Sequence, residues 1–198
     1  MRMLRRLIVP LVALALAGCG LNSVPTAEEQ VNAAWGNLQS EYQRRNDLVG
    51  NLVETVKAAA GSEERILTQV TEARSRATSV NLTPEQLSDP QAVQRYNEAQ
   101  AGLTNARSLL GTVIMERYPQ LQSQGRFADM MVQLEGTENS ILVARRDYNE
   151  AVRQYNTRIR TFPDAIGAKI FYGAEPKVPF EAAAGSQNAP KVDFNTAA

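Results

Sequence analysis

Histidine is absent from all 198 residues. The commonest general base, the commonest metal ligand and the natural switch near neutral pH are therefore missing. Ser-His-Asp catalysis, Cys-His catalysis and His-based zinc sites are excluded. Cysteine occurs once, at Cys19, so no internal disulfide can form and stability must come from packing. Basic excess is missing too: 21 Lys and Arg balance 21 Asp and Glu, which argues against a nucleic-acid footprint. There is no GxxxxGK[ST] loop, no GxGxxG turn and no Asp-rich calcium loop. No apolar run reaches the roughly 20 residues that a membrane-spanning helix requires. No catalytic, cofactor-binding or metal-ligating residue is assigned on these grounds. A carboxylate pair or a carboxylate metal site is the chemistry left open.

The first nineteen residues carry the sharpest signal. Arg2, Arg5 and Arg6 form a basic start, and Leu7 to Ala17 form an apolar stretch of about 16 Å if helical. That is too short for a bilayer core of about 30 Å but suits the apolar region of a secretory signal. Leu16-Ala17-Gly18-Cys19 follows, with small residues where a peptidase needs room. The order resembles a bacterial lipobox, in which the thiol is acylated and the chain is cut just before it. Residues 1–18 are thus expected to be a lipoprotein signal peptide, with Cys19 as the lipidation site. Loss of Arg2, Arg5 and Arg6 leaves the mature chain acidic by about three charges. Gly20, in place of Asp after the Cys, favours the outer membrane in a cell with two membranes, facing the periplasm or the exterior.

Residues 19–26 read as a tether. From there to about Arg160 the chain is rich in Ala, Gln, Glu, Arg and Leu and poor in Gly and Pro, a helical composition. Gly61-Ser62, Asn81 to Pro90, Tyr118-Pro119 and Phe162-Pro163 are the breaks. They predict helices over about 26–60, 62–80, 91–118 and 126–162. Apolar residues recur at a period near 3.5, as in Val31, Trp35, Leu38, Tyr42, Val49, Leu52 and Val56. In the last helix Phe127, Leu134, Ile141, Tyr148, Tyr155 and Phe162 fall seven apart. Such a period with short connections predicts an all-α antiparallel four-helix bundle with two long outer helices, covering 27–163. Residues 164–180 are expected to fold back onto the bundle end, and 181–198 to be a disordered tail.

Polar residues also occupy the seam. Arg45, Glu138 and Arg145 lie in register with the apolar residues, and a buried unpaired charge is costly. Antiparallel alignment about the helix midpoints puts Arg45 near Glu138 and Arg145 near Glu41. These four form an expected structural polar layer that fixes register; the alternative is a carboxylate site, against which the interleaved arginines count. Tyr-Asn recurs at 96–97, 148–149 and 155–156. Its tyrosines are expected in the core with hydroxyls at the edge; a ligand-lining ladder is the other reading. Gly50 in mid-helix implies a kink or a close approach by another helix.

Ala34-Trp35, Arg44-Arg45-x-Asp47-Leu48-Val49-x-Asn51-Leu52-Val53-Glu54, Val70-Thr71-Glu72-Ala73-Arg74 and Leu134-Glu135-Gly136-Thr137-Glu138-Asn139 resemble the LemA family. So does Ala144-Arg145-Arg146-x-Tyr148-Asn149-x-Ala151-Val152-Arg153-x-Tyr155-Asn156. The resemblance covers roughly 27–180. The chain departs from it with Asn46 for the usual Tyr, Gly50 for the usual Pro, and a lipobox in place of an N-terminal transmembrane helix. The resemblance implies a four-helix bundle held outside the cytoplasm, with no established activity to carry over. Members are often encoded beside membrane proteins with a TPM domain, which implies an envelope partner of that kind. The expected protein is therefore membrane-tethered and not an enzyme, acting through protein contacts in the cell envelope. The rival is a carboxylate-based metal-binding or enzymatic bundle.

Overall fold

The computed structural model describes residues 22–60, 64–122 and 125–181. All regular structure among them is helical: α1 (Ser23–Ala60), α2 (Glu64–Ser79), α3 (Pro90–Arg117), the short α4 (Pro119–Gln122), α5 (Gly125–Arg158) and the short α6 (Asp164–Gly167). A 3-10 turn, Glu85–Ser88, precedes α3, and a π-helical turn, Ala168–Tyr172, extends α6. Among the described residues no helix is long and apolar enough to cross a membrane. Cys19, the signal segment and the tail beyond Glu181 lie outside the described residues.

α1 begins at Ser23, three residues before the expected end of the tether. Pro25 is accommodated because the first-turn N–H groups have no intrahelical partner to lose. Burial of Val24 and Ala27 stabilises this extra turn. Asp89 caps α3 by accepting from the Gln91 N–H at 2.9 Å, with Pro90 in the first helical position. The Gln86 side chain reaches back to the Thr83 N–H at 3.1 Å, one half of a capping box. α5 ends at Arg158 rather than at 162, and its last turn tightens into i−3 hydrogen bonds at Arg160 and Thr161. Phe162, expected on the seam, is consequently 81% exposed.

α1 packs most extensively on α5, and α2 on α3, with α1 also against α2. Trp35 lies beside Tyr148 and Arg45 beside Glu138, so α1 and α5 run antiparallel. α3 and α5 make little backbone contact. Tyr96, Tyr148 and Phe180 fill the space there, with ring centroids 5.1 Å apart for Tyr148–Phe180 and 6.3 Å for Tyr96–Phe180. The described residues form two apolar clusters. One runs from Val24 to Tyr42 on α1 and from Ile141 to Tyr155 on α5. The other runs from Val49 to Val56 on α1 and includes Leu103, Leu110 and Leu134.

Candidate functional site

Between the two apolar clusters lies a polar layer centred on Arg45, which is only 1% exposed. Its guanidinium donates to Thr104 Oγ1 at 2.8 Å and to Gln100 Oε1 at 2.5 Å. Glu138 Oε1 stands 3.8 Å from Arg45 Nη1 and 3.5 Å from Arg107 Nε, with its side chain 21% exposed. Gln100 in turn donates to the Ala77 carbonyl at 3.0 Å. Ala77 is in the last turn of α2, where carbonyls have no intrahelical donor. Gln100 thus links a helix C-terminus to a buried cation. The Arg45 guanidinium also lies 5.1 Å from the Tyr42 ring centroid. Burial lowers the pKa of Arg45, and the Glu138 carboxylate works in the opposite direction. Burial raises the pKa values of Tyr42, Tyr96 and Tyr148, keeping these phenols neutral.

Sequence reasoning placed Arg145 against Glu41. Arg145 instead donates to the Glu181 carbonyl at 2.8 Å and to Asn97 Oδ1 at 3.4 Å, and lies 5.6 Å from the Phe180 ring centroid. The reason is register. With Trp35 opposite Tyr148 and Arg45 opposite Glu138, Arg145 is level with Leu38, about one turn from Glu41. Tyr42 takes the seam, which turns Glu41 about 100° away. Glu41 faces a shallow groove of about 530 Å³ between α1 and α5, along with Asn37, Ser40, Asn139 and Asp147.

The Tyr-Asn pairs of α5 build the second feature. Tyr148 and Tyr155 are buried in the core, and the asparagine after each grips an extended C-terminal strap. Asn149 Nδ2 donates to the Phe180 carbonyl at 2.9 Å, and its Oδ1 accepts from the Phe180 N–H at 2.8 Å. Asn156 does the same with Lys177, at 2.8 and 2.9 Å. The Tyr148 hydroxyl donates to the Val178 carbonyl between them at 3.1 Å. The spacing follows from chain geometry. Seven helical residues advance about 10.5 Å, and three extended residues about 10 Å. Asparagines one heptad apart therefore meet every third residue of an extended chain. Each amide offers one donor and one acceptor, as a neighbouring β-strand would.

Two strap side chains are buried. Phe180 stacks on Trp35 with centroids 5.8 Å apart and planes at 19°. Lys177 Nζ pairs with Glu28 at 3.2 Å and donates to the Pro84 carbonyl at 3.4 Å. Gly173, at φ 55°, reverses the chain ahead of the strap, a conformation that glycine adopts without Cβ strain.

Sequence reasoning singled out the tyrosines and missed Asn149, Asn156, Gln100 and Phe180. The available signal was two asparagines one heptad apart in mid-helix, where propensity disfavours them. Gly50 has a specific explanation. Arg74 of α2 donates to the Asn46 carbonyl at 2.8 Å, and a Cβ at Gly50 would sit 3.0 Å from its guanidinium.

These contacts define an all-helical protein whose antiparallel helices enclose a polar layer and grip their own C-terminal strap. The chain belongs to the LemA family, whose model matches residues 34–194. It is 28% identical over 158 residues to the magnetosome proteins MamQ 1 and MamQ 2 of Paramagnetospirillum magneticum. The same identity holds for magnetosome protein MamQ of Magnetospirillum gryphiswaldense. Each match covers 72% of this chain and 58% of the relative. The chain thus spans little more than half the length of these curated relatives.

Proposed function

We propose that this protein is a lipid-anchored helical scaffold of the bacterial cell envelope that acts through protein contacts. The observation that carries the contact role is the Asn149–Asn156 pair. It holds the chain's own strap by its backbone atoms, the mode of contact by which a protein surface engages extended chain without a fixed sequence. The anchoring role rests on the basic start, the short apolar stretch and Leu16-Ala17-Gly18-Cys19. A single acyl chain holds a protein only marginally, whereas two or three hold it stably. Similarity to MamQ proteins, named for the magnetosome, is consistent with a membrane-linked role. The partner fits an envelope protein, with TPM-domain membrane proteins as the first class to examine.

In-cell crosslinking from exposed positions on α1 and α5, such as Gln43 and Arg146, tests the contact role. Repeated capture of one envelope protein supports it; a chain that crosslinks only to lipid refutes it. Mass spectrometry of membrane-extracted protein should show residues 1–18 removed and acyl mass on Cys19. A mature N-terminus elsewhere, with unmodified Cys19, refutes the anchor. Against the carboxylate-metal reading, Glu138 lies between two guanidinium groups that repel a cation. Tm should therefore be the same in EDTA as with added Mg²⁺, Mn²⁺ or Zn²⁺, and a stoichiometric metal retained through dialysis would reverse this assignment.

A further inference from the structure

We infer that the segment Phe162–Tyr172 is a membrane-contacting foot that inserts side chains into the interface of the bilayer on which Cys19 is anchored. This rests on the anchoring proposed above. Two independent observations meet at one end of the molecule. The first is an apolar surface that no other element covers among the described residues. Phe162 is 81% exposed, Ile166 53%, Ile170 69% and Phe171 67%, with Tyr172 beside them at 45%. Phe162, Ile166 and Ile170 recur every fourth residue, and the last two are in one continuous helical stretch, so they share a face. Such exposure within eleven residues is unlike singly scattered surface apolar groups.

The second observation is where the anchor must lie. Cys19 precedes the start of α1 at Ser23 by four residues, which span at most about 14 Å. α6 packs against α1. Ala168 is buried in the same cluster as Val24, Ala27 and Tyr155, and Lys177 of the strap pairs with Glu28. The exposed apolar face is therefore at the end of the bundle from which the tether emerges, and an acylated Cys19 holds that end against lipid.

The flanking chemistry fits an interface. Arg158, Arg160 and Lys169 are exposed, against Asp164 within the segment and Glu175 beyond the Gly173 reversal. Long basic side chains reach phosphates while their stems lie along apolar neighbours, and Tyr172 is amphipathic. Two contacts, acyl chains and foot, orient α1 and α5 away from the surface and project the far end of the bundle outward.

The test uses the full chain purified from membranes, its N-terminal mass recorded, in phosphatidylethanolamine–phosphatidylglycerol vesicles carrying brominated acyl chains. Phe171→Trp is compared with Leu142→Trp, which is exposed on α5 about 20 residues before the foot begins. Both sites are exposed, so neither substitution disturbs the core, and unsubstituted protein corrects for Trp35. Quenching severalfold stronger at 171 than at 142 supports the foot. Equal quenching overturns it, even where acylated Cys19 keeps the protein on the vesicles. Disulfide-linked dimers from Ile170→Cys without bromine quenching at 171 also overturn it, assigning the face to a second copy. Strong quenching at 171 in protein that lacks acyl mass upholds the foot and refutes the anchor, so the two failures are separable.

Discussion

Replacing Arg45 by Met should cost more stability than removing its ion-pair partner Glu138. The substitution deletes two hydrogen bonds from a charged donor, to Gln100 at 2.5 Å and to Thr104 at 2.8 Å. It also strands the Gln100 carbonyl oxygen in the core. Hydrogen bonds to charged groups contribute about 1.5–3 kcal/mol each, and a stranded buried acceptor costs about 1–3 kcal/mol. Relief of guanidinium desolvation offsets part of this, leaving a loss of about 3–5 kcal/mol, as for other broken buried charge interactions. Glu138→Leu removes only contacts at 3.5 and 3.8 Å from a partly exposed carboxylate. It leaves Arg45 its two hydrogen bonds but no counter-charge, and should cost about 2–3 kcal/mol, between a surface pair and a broken buried pair. Adding Gln100→Leu to Arg45→Met should recover most of the loss, because the stranded Gln100 carbonyl oxygen is then gone from the layer. About 1 kcal/mol should remain for the Ala77 carbonyl that Gln100 capped. Urea midpoints at constant slope give these differences, and Arg45→Met alone should lower Tm by about 10 °C. Equal costs for Arg45→Met and Glu138→Leu, or a coupling near zero between Arg45 and Gln100, would refute the argument.

Other outcomes follow from the strap, the glycine and the phenols. Asn149→Leu should release Phe180 from Trp35, shifting emission of the single tryptophan and exposing 174–181 to protease; an unchanged spectrum would show that Asn149 does not hold the strap. Phe180→Ala should cost about 3–5 kcal/mol in urea unfolding, as for other buried aromatics, and a loss below about 1 kcal/mol would mean the strap is not part of the core. Gly50→Ala should be nearly neutral in the wild-type chain but stabilise an Arg74→Ala background by about 1 kcal/mol, since the helix-propensity gain is then free of the Arg74 clash. Burial pushes Tyr155 up to about 12 and raises Tyr42, Tyr96 and Tyr148 as well. A folded phenol with a raised pKa holds its proton where the unfolded one has lost it. Its contribution to stability is therefore complete below pH about 10 and falls as pH rises from there. Tyrosinate absorbance from these residues should appear together with loss of helical circular dichroism, and ionisation in an intact helical protein would contradict their burial.

The local chemistry of the chain alone determined the helices. Glycine and proline breaks bounded them, and the 3.5-residue period selected the faces that became buried, from Val31 to Val56 on α1 and from Phe127 to Tyr155 on α5. The pairing of Arg45 with Glu138 was legible because both interrupt that period and their charges are opposite. Tertiary structure alone decided the rest. Axial register moved Arg145 one turn away from Glu41, and no local pattern encodes such a slide between helices. Gln100 and Thr104 joined the layer from α3, which the alignment of α1 with α5 cannot place. The strap is the clearest case. Residues 174–181 have no periodicity of their own, since an extended segment with a single aromatic anchor lacks a repeating face. Only folding brings Phe180 to Trp35 and two asparagines to the strap backbone, because those partners are 21 or more residues away in sequence.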